Sequence, residues 1–468
     1  NENYLEHLIE KNILGQDNGV CLVLSPMPGK SEMEKKELTE KLAHKKSALD
    51  DNQIQKLVDE TAAFKKFHQK ENTDDEINSL PRLSRKDLPS EPEIFHSEKT
   101  TLCGSVPYYR SEIFTGSIVN VSVGFNTSCL PVELLPYLEL FGNIITEIGT
   151  SDMDYIQFCI KKDQILGGLN HKINTYHQFQ NRENYLPIFW LNLKMLDNYI
   201  PDAIELVEKI ILDVSFDNEK RIQEILERNF AWLENYIQSE GYNLPVQRLQ
   251  SYIHESGWYM EQVSGLTAYQ NIKLLQKNFT SEKNNLIKKL KTIKEILFNR
   301  KQMIVSITGS GEGLKLAESR CSESIEKMPN NEFPVQKITL LDSTRNEAFI
   351  TSSEIVFAVQ GGDMLKAGIT HNGSFEVLKT WLSRSFLHKR VRAQGGAYGC
   401  FAVVDPLLGF NCYVSYRDPN IKSTYDAYEE IPQVVSSLEL NHRELEQLII
   451  RTYGNFDPLL NPFAKALR

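Results

Sequence analysis

The chain has 468 residues, 41% of them hydrophobic, which predicts a globular protein of roughly two to four domains. Its formal net charge of −10 argues against a nucleic-acid partner, because phosphate binding requires lysine and arginine clustered on one face. Its apolar runs fall short of the ~18 residues that a membrane-spanning helix requires, so we expect no membrane partner either.

Seven cysteines are scattered along the chain without a C-x-x-C pair. This usage predicts reduced thiols, most of them small buried hydrophobic residues, in a reducing compartment such as a bacterial cytoplasm or an organelle matrix. The first residues, NENYLEHLIEKN, have the character of neither a signal peptide nor a transit peptide. Because the chain starts with Asn, we interpret it as processed or trimmed, and its own compartment remains unknown.

The N-terminal part is predicted to belong to something larger. Residues 20–25, VCLVLS, are apolar and end near two prolines, which predicts a terminal strand, so we assign residues 1–30 to a domain that lies upstream. From Ser31 to about Asn72 the composition becomes charged and helical, with an interruption at 49–52 where an Asp can cap a second helix. We interpret residues 31–92 as a helical-hairpin linker, although an ordinary pair of surface helices would show a similar pattern.

A polar, proline-containing stretch from Asn78 to Pro92 predicts the boundary before a new domain, which we place at residues 93–330. Its predicted elements are a strand at Ser117–Phe125, a helix from Leu134 to Ile148 that ends at Gly149, helices at Ala203–Val214 and Lys220–Ser239, and a strand at Met303–Ile307.

A second unit at residues 331–468 repeats the order of strand, loop and long helix. Its predicted elements are a strand at Glu354–Val359, a helix at about Ser374–Arg390, a strand at Gly399–Val404 and a helix at Arg443–Arg451. The predicted fold class is therefore α+β: two related domains, each a mainly antiparallel sheet covered by helices. The second unit lacks closing strands, which suggests a C-terminal truncation.

The sequence offers no catalytic metal motif. None of the ten histidines lies in H-E-x-x-H or H-x-x-E-H, the spacings that bring two imidazoles and a carboxylate to one helix face around zinc. We therefore predict no metal site in this chain. The glycine-rich loop at 309–313 lacks the Lys-Ser/Thr of a phosphate loop, so we interpret it as a strand-to-helix turn; a nucleotide-dependent enzyme is the minor alternative. The hydrolase motif G-x-S-x-G is absent as well.

The most informative stretch extends from Phe386 to Tyr416. Arg392 lies at the end of a long predicted helix, Gly395 and Gly396 permit conformations that other residues avoid, and Tyr398 leads into a strand. An arginine and a tyrosine that frame a double-glycine turn could present a cation and a phenolic donor to a carbonyl that develops negative charge. The residues alone favour a simpler interpretation, a solvated charge at a helix end followed by a glycine cap.

The stretch LHKRVRAQGGAYGCFAVVDP, with YVSYRDPN after it, resembles the presequence protease branch of the pitrilysin and insulin-degrading enzyme superfamily, which carries V-R-x-x-G-G-A-Y-G in its C-terminal half. Further segments resemble this family in the same order. They are VLSPMPGKSEMEKKE for its linker, LPRLSRKDLPSEPE for the entry to its third domain, LPVELLPYLELFGNIITEIGT for that domain's first helix, and RNEAFITSSEIVFAVQGG for the opening of its fourth.

The resemblance implies the C-terminal half of a zinc metalloendopeptidase that encloses unstructured peptides in a chamber. The zinc and its H-x-x-E-H motif would belong to an N-terminal half of the same polypeptide, absent here, so this chain alone is expected to be inactive. Arg392 would bind the substrate backbone and Tyr398 would stabilise the oxyanion, with Gly395 and Gly396 beside them in the substrate-binding turn. The alternative is a metal-free binding or structural subunit of a peptidase assembly.

Overall fold

The computed structural model describes residues 3–15, 19–69, 72–73, 75–76, 79–91, 93–95, 97–178, 181–338, 340, 346–351 and 353–467. The chain forms two compact units, Asn1–Arg82 and Leu83–Arg468. The predicted domain boundary from Asn78 to Pro92 has both of its end residues outside the described part. Among the described residues, no helix combines the length and the apolar character needed to cross a bilayer.

The first unit is helical. Its helices are α1 (Tyr4–Ile9), α2 (Lys30–Ser47) and α3 (Asp51–Gln69). Asp50 caps α3, because its carboxylate accepts the backbone N–H of Gln53 at 2.8 Å while the side chain of Gln53 accepts the N–H of Asp50 at 3.1 Å. This reciprocal capping box confirms the helix break and the Asp cap that the sequence predicts.

The strand predicted at residues 20–25 is wrong for the structure as described. Residues 19–27 form neither helix nor strand, and Leu22 and Leu24 are exposed. A β-strand depends on a neighbouring strand that accepts and donates its backbone hydrogen bonds, and no described residue pairs with this segment. An apolar run therefore reveals its character but not whether a pairing partner exists.

The second unit contains two separate sheets. One has the strand order β1-β2-β6-β3-β5-β4, antiparallel throughout except between β2 and β6, and the other has the antiparallel order β7-β9-β8. This confirms the α+β class with mainly antiparallel sheets. The strands are β1 (Glu98–Leu102), β2 (Val106–Glu112), β3 (Ile118–Asn126), β4 (Gly168–Gln178), β5 (Asn181–Leu196), β6 (Met303–Gly309), β7 (Val359–Asp363), β8 (Gly399–Asp405) and β9 (Phe410–Tyr416).

Helices cover both sheets. Those of the first sheet are α4 (Leu138–Ile145), α5 (Tyr155–Ile165), α6 (Ile200–Asp213), α7 (Glu219–Glu240), α8 (Asn243–Gln250), α9 (Glu255–Ser264), α10 (Leu266–Lys277), α11 (Phe279–Leu297) and α12 (Gly311–Glu326). Those that follow are α13 (Gly373–Trp381), α14 (Lys422–Ser436), α15 (His442–Phe456) and α16 (Pro462–Ala466). The predicted helices at Ala203–Val214, Lys220–Ser239, Ser374–Arg390 and Arg443–Arg451 are thus confirmed.

Four aromatic rings centre the first core. Strand β3 is paired on both edges and buries Phe125, whose ring lies 5.0 Å from that of Phe298; Phe141 of α4 lies 5.6 Å from Phe298 and 5.9 Å from Phe189. Each such ring stabilises the fold by about 1.5–3 kcal/mol through burial. The predicted strands at Ser117–Phe125 and Met303–Ile307 are therefore the centre of this sheet.

The helix predicted from Leu134 to Ile148 is shorter than expected. It begins as a 3₁₀ segment, Val132–Tyr137, because Pro136 lacks an N–H and its ring disfavours a regular α-helical turn. The α-helix ends at Ile145, and Gly149 does not cap it. Gly149 instead forms a turn at φ 100°, where a side chain would meet the carbonyl of Met153.

The strand predicted at Glu354–Val359 lies later in the chain. Residues 354–358 contribute only the isolated bridge of Val356 with Asp418, and β7 begins at Val359. It includes Gly361, which approaches β9 so closely that a Cβ would lie 2.1 Å from the carbonyl oxygen of Asn411. Glycine carries no side chain to show an apolar alternation, and the strand was missed for that reason.

The two sheets lie in the ranges predicted for separate domains, yet side chains join them within one compact unit. Arg182, at the tip of the β4–β5 hairpin, donates to the carboxylate of Asp363 at 3.2 Å and to the carbonyl of Leu408 at 2.9 Å. The division at residue 330 stays a prediction.

Two buried histidines lie near this junction. The rings of His177 and His254 are 5.3 Å apart, and Nδ1 of His254 accepts the backbone N–H of Ser256 at the start of α9. Burial lowers the pKa of both imidazoles; Arg182 lowers that of His254 further, while Glu183 raises it and Asp405 raises that of His177. The native state therefore holds both rings neutral.

We expect the free energy of unfolding to fall as the pH drops through 6.5, the ordinary histidine pKa, until the lowered folded-state pKa is passed. The unfolded chain binds protons in this window and the folded chain does not. The measurement is urea unfolding at pH ~7.5 and ~5.5. His254→Asn keeps a capping side chain without titrating, so its loss should be smaller than that of the wild type and of the exposed control His442→Asn. An equal loss in all three would contradict this assignment.

Candidate functional site

The site is built on a turn between a helix and a strand. After α13 the chain continues through π-helical segments to Ala393 and then turns into β8. Gly396 adopts φ 84° and donates its N–H to the carbonyl of Arg392 at 2.9 Å. Gly395 comes so close to the helix that a Cβ would lie 2.5 Å from the carbonyl of Val391. Both glycines are thus required by the backbone of this turn.

The turn brings Arg392 and Tyr398 together. The guanidinium carbon of Arg392 lies 5.9 Å from the centroid of the Tyr398 ring, which is within cation–π range. The ring meets Tyr416 edge-on at 5.4 Å, and the Tyr398 N–H donates to the carbonyl of Arg417 at 3.2 Å. The Tyr398 side chain is 63% exposed, so its hydroxyl is open to a ligand.

Arg417 is a site residue to which the sequence analysis assigned no role. Its guanidinium also lies 5.9 Å from the Tyr398 ring centroid, and it donates two hydrogen bonds, at 3.1 and 3.0 Å, to the carbonyl of Ser239 near the end of α7. Its backbone has φ 47°, an unfavourable region for a non-glycine residue. The only sequence signal is its place in the stretch YVSYRDPN, next to the buried Asp418.

Residues after β9 fix the glycine turn from the other side. The side chain of Asn420 donates to the carbonyl of Gly395 at 2.6 Å. The fully buried carboxylate of Asp418 accepts the N–H of Asn420 at 2.9 Å and the hydroxyl of Thr424 at 2.6 Å. This network holds the turn rigid, and it too was missed because it depends on long-range contacts.

An open pocket of about 740 Å³ surrounds the pair. Arg392 forms no hydrogen bond or ion pair with any residue that the structure describes, so its charge is available to a ligand. No carboxylate lines the pocket. Its lining consists of Gln238, Ile355, His388, Arg392, Ala393, Gly396, Ala397, Tyr398 and Arg417.

The donor set does not suit a metal ion. A guanidinium and a phenol are cationic or hydrogen-bond donors, whereas zinc takes thiolate, imidazole or carboxylate ligands. Within the described ranges, no three histidine, cysteine, aspartate or glutamate side chains lie close enough together to hold a metal. The chemistry that this site supports is the binding of an electron-rich oxygen, such as a peptide carbonyl.

Comparison with known proteins identifies the family. Residues 24–275 match the family described as Peptidase M16 subfamily C associated. The chain belongs to this family. Residues 346–467 match the PreP C-terminal domain, and this second match contains the whole helix–turn–strand site. The resemblance to the presequence protease family is thereby confirmed.

The relatives of this peptidase-associated chain are longer than it is. Protein HypA of Clostridium perfringens is 28% identical over 460 residues, which are 98% of this chain but 47% of the relative. Presequence protease 1, chloroplastic/mitochondrial, of Arabidopsis thaliana is 27% identical over 467 residues, 98% of this chain and 42% of that protein. The chain thus spans less than half the length of these two relatives.

Solved structures support the fold. A protease from Helicobacter pylori superimposes with a TM-score of 0.53 at 13% identity, covering 78% of this chain and 85% of that one. A conserved protein from Enterococcus faecalis gives 0.52 at 14% identity, covering 77% and 84%. At such low identity the likeness concerns the architecture alone.

Replacing Gly396 with Ala tests the turn. A left-handed backbone costs a residue with a Cβ about 1–2 kcal/mol, and the only atom near the new methyl group is Pro419 Cγ at an ordinary 3.6 Å. We expect Gly396→Ala to lower the free energy of unfolding by about that amount, and Gly396→Asn by less, because Asn tolerates this region.

The control for this prediction is Gly454→Ala, in open space within α15, which should be neutral or stabilising by up to about 1 kcal/mol. Urea unfolding of the three variants measures the difference. A Gly396→Ala variant as stable as the wild type would show that the turn accepts a side chain without strain.

Proposed function

We propose that the chain is the C-terminal half of a zinc metalloendopeptidase that degrades unstructured peptides in a closed chamber. The observation that carries the proposal is the free guanidinium of Arg392 beside the exposed phenol of Tyr398, in a pocket without carboxylates. The match to the PreP C-terminal domain and the name of the Arabidopsis relative support it.

In this proposal Arg392 binds a backbone carbonyl of the substrate near the scissile bond. Its partner would be an uncharged oxygen, for which a planar, permanently charged fork with several N–H donors is well suited. Tyr398 donates its hydroxyl to the oxyanion that forms when the scissile carbonyl is attacked, which stabilises the transition state more than the ground state. Gly395 and Gly396 let the substrate approach the turn closely.

Zinc and the general base would belong to an N-terminal half of the same polypeptide, since the described residues of this chain do not fit a zinc site. Residues 1–30 would complete a domain of that half, residues 31–92 would link the halves, and residues 93–330 and 331–468 would be the third and fourth domains. The unpaired cysteines fit a reducing compartment, such as a bacterial cytoplasm or an organelle matrix.

Tyr398→Phe in the complete polypeptide tests the role of the phenol. Loss of one oxyanion donor typically lowers kcat about 10²–10³-fold, while the ring, its contact with Tyr416 and the fold remain. The measurement is cleavage of a quenched-fluorescent unstructured peptide. Tyr109→Phe is the matched control, a tyrosine beneath the ammonium of Lys99 on the other sheet, and should leave kcat unchanged. Near-wild-type cleavage by Tyr398→Phe would refute the oxyanion role.

The alternative is a metal-free subunit that binds or supports a peptidase without contributing to chemistry. Mixing this chain with a separately produced zinc-binding half separates the two proposals. A complementing half-enzyme gives no cleavage alone and cleavage on mixing, which Arg392→Gln should reduce. A binding subunit gives cleavage that depends neither on Arg392 nor on Tyr398. Chelator-sensitive cleavage by this chain alone would contradict both proposals.

A further inference from the structure

A second pocket lies on the other side of Arg392. It has a volume of about 360 Å³ and is lined by Arg384, His388 and Arg392 from the helical run before the glycine turn, by Arg451 of α15, and by the backbone of β8 from Gly399. No aspartate or glutamate lines it. This is unusual in a chain that carries 62 acidic residues against 52 lysines and arginines.

The cations of this pocket are left without carboxylate partners. Arg384 and Arg451 are exposed and form no hydrogen bond or ion pair with any described residue. Neighbouring cations are paired: Arg390 donates to Glu430 at 2.9 Å, and Lys379, at the pocket margin, bonds the buried Glu376. The unpaired charge is therefore confined to the arginines that face the pocket.

Buried contacts fix the walls. The hydroxyl of Thr452, next to Arg451, donates to that of Thr380 at 2.9 Å, and both residues are buried, which holds α15 against the helical run. The hydroxyl of Ser383 accepts the N–H of Ala402 at 3.0 Å. This N–H lies on the edge of β8 that has no neighbouring strand in the order β7-β9-β8. The helical run is π-helical here, a distortion that is frequent at functional sites.

We infer that this pocket is a subsite for a carboxylate of the bound peptide. The inference rests on the proposed function, because Arg392 lines both pockets and a peptide held at Tyr398 would extend its neighbouring residues toward Arg384 and Arg451. Guanidinium groups bind carboxylates through paired hydrogen bonds, and three of them converge here without competition. The carboxylate is either an acidic side chain or the C-terminus of the peptide.

Three fluorescein-labelled unstructured peptides distinguish these sources: one with Glu residues, one with each Glu replaced by Gln, and one with Glu residues and an amidated C-terminus. Fluorescence anisotropy with this chain measures their Kd. We expect the Gln peptide to bind about 10-fold more weakly if side chains occupy the pocket, and the amidated peptide to do so if the C-terminus does. The discrimination should shrink at high salt.

Arg384→Gln and Arg451→Gln, singly and together, should reduce and then remove this discrimination while the neutral peptide keeps its affinity. Arg320→Gln, an exposed helix arginine that pairs with Glu323 away from the pocket, is the control and should retain it. Equal affinity of all three peptides for the wild-type chain, or a preference that survives in the double variant, would overturn the subsite. Binding of the neutral peptide in that case leaves the proposed function intact, whereas no binding of any peptide overturns both.

Discussion

The left-handed backbone of Gly396 is the constraint on which the site depends. A helix and a strand that follow each other directly cannot place residues six positions apart side by side, and this turn does so for Arg392 and Tyr398. The geometry is not local alone: Asn420 binds the carbonyl of Gly395, and the buried Asp418 orients Asn420. A cation and a phenol held in this way lose little entropy when a ligand arrives, which is the benefit of a preorganised site.

Much of this arrangement could be predicted from the sequence. The two glycines, the helix before them and the strand after them have strong local signals, so the order Arg392, turn, Tyr398 was predictable. Arg417 was not, because its function depends on α7, which lies far away in the sequence and supplies the carbonyl of Ser239. The same holds for the cations around Arg451: helical periodicity places them on helices but does not show that no carboxylate will meet them.

The fold shows the same division between local and long-range information. Amphipathic helices such as α6 and α7 were predicted to within a few residues, because their apolar faces repeat over three or more turns. Strands failed where the pattern was interrupted or the partner was unknown. Gly361 hid β7 by having no side chain, and residues 20–25 looked like a strand although no described strand pairs with them. Pro136 shortened a helix that its apolar spacing had extended.

The two arginines beside Tyr398 show how one residue type serves two purposes. Arg417 gives its donors to a backbone carbonyl of α7, which ties the second sheet to the helices of the first and fixes the far wall of the pocket. Arg392 has no such partner among the described residues and remains free to bind. Since both guanidiniums lie 5.9 Å from the same ring, the phenol lies between a structural cation and an available one. Two positive charges at this distance repel each other, and an anionic or electron-rich ligand relieves that repulsion only at the side of Arg392.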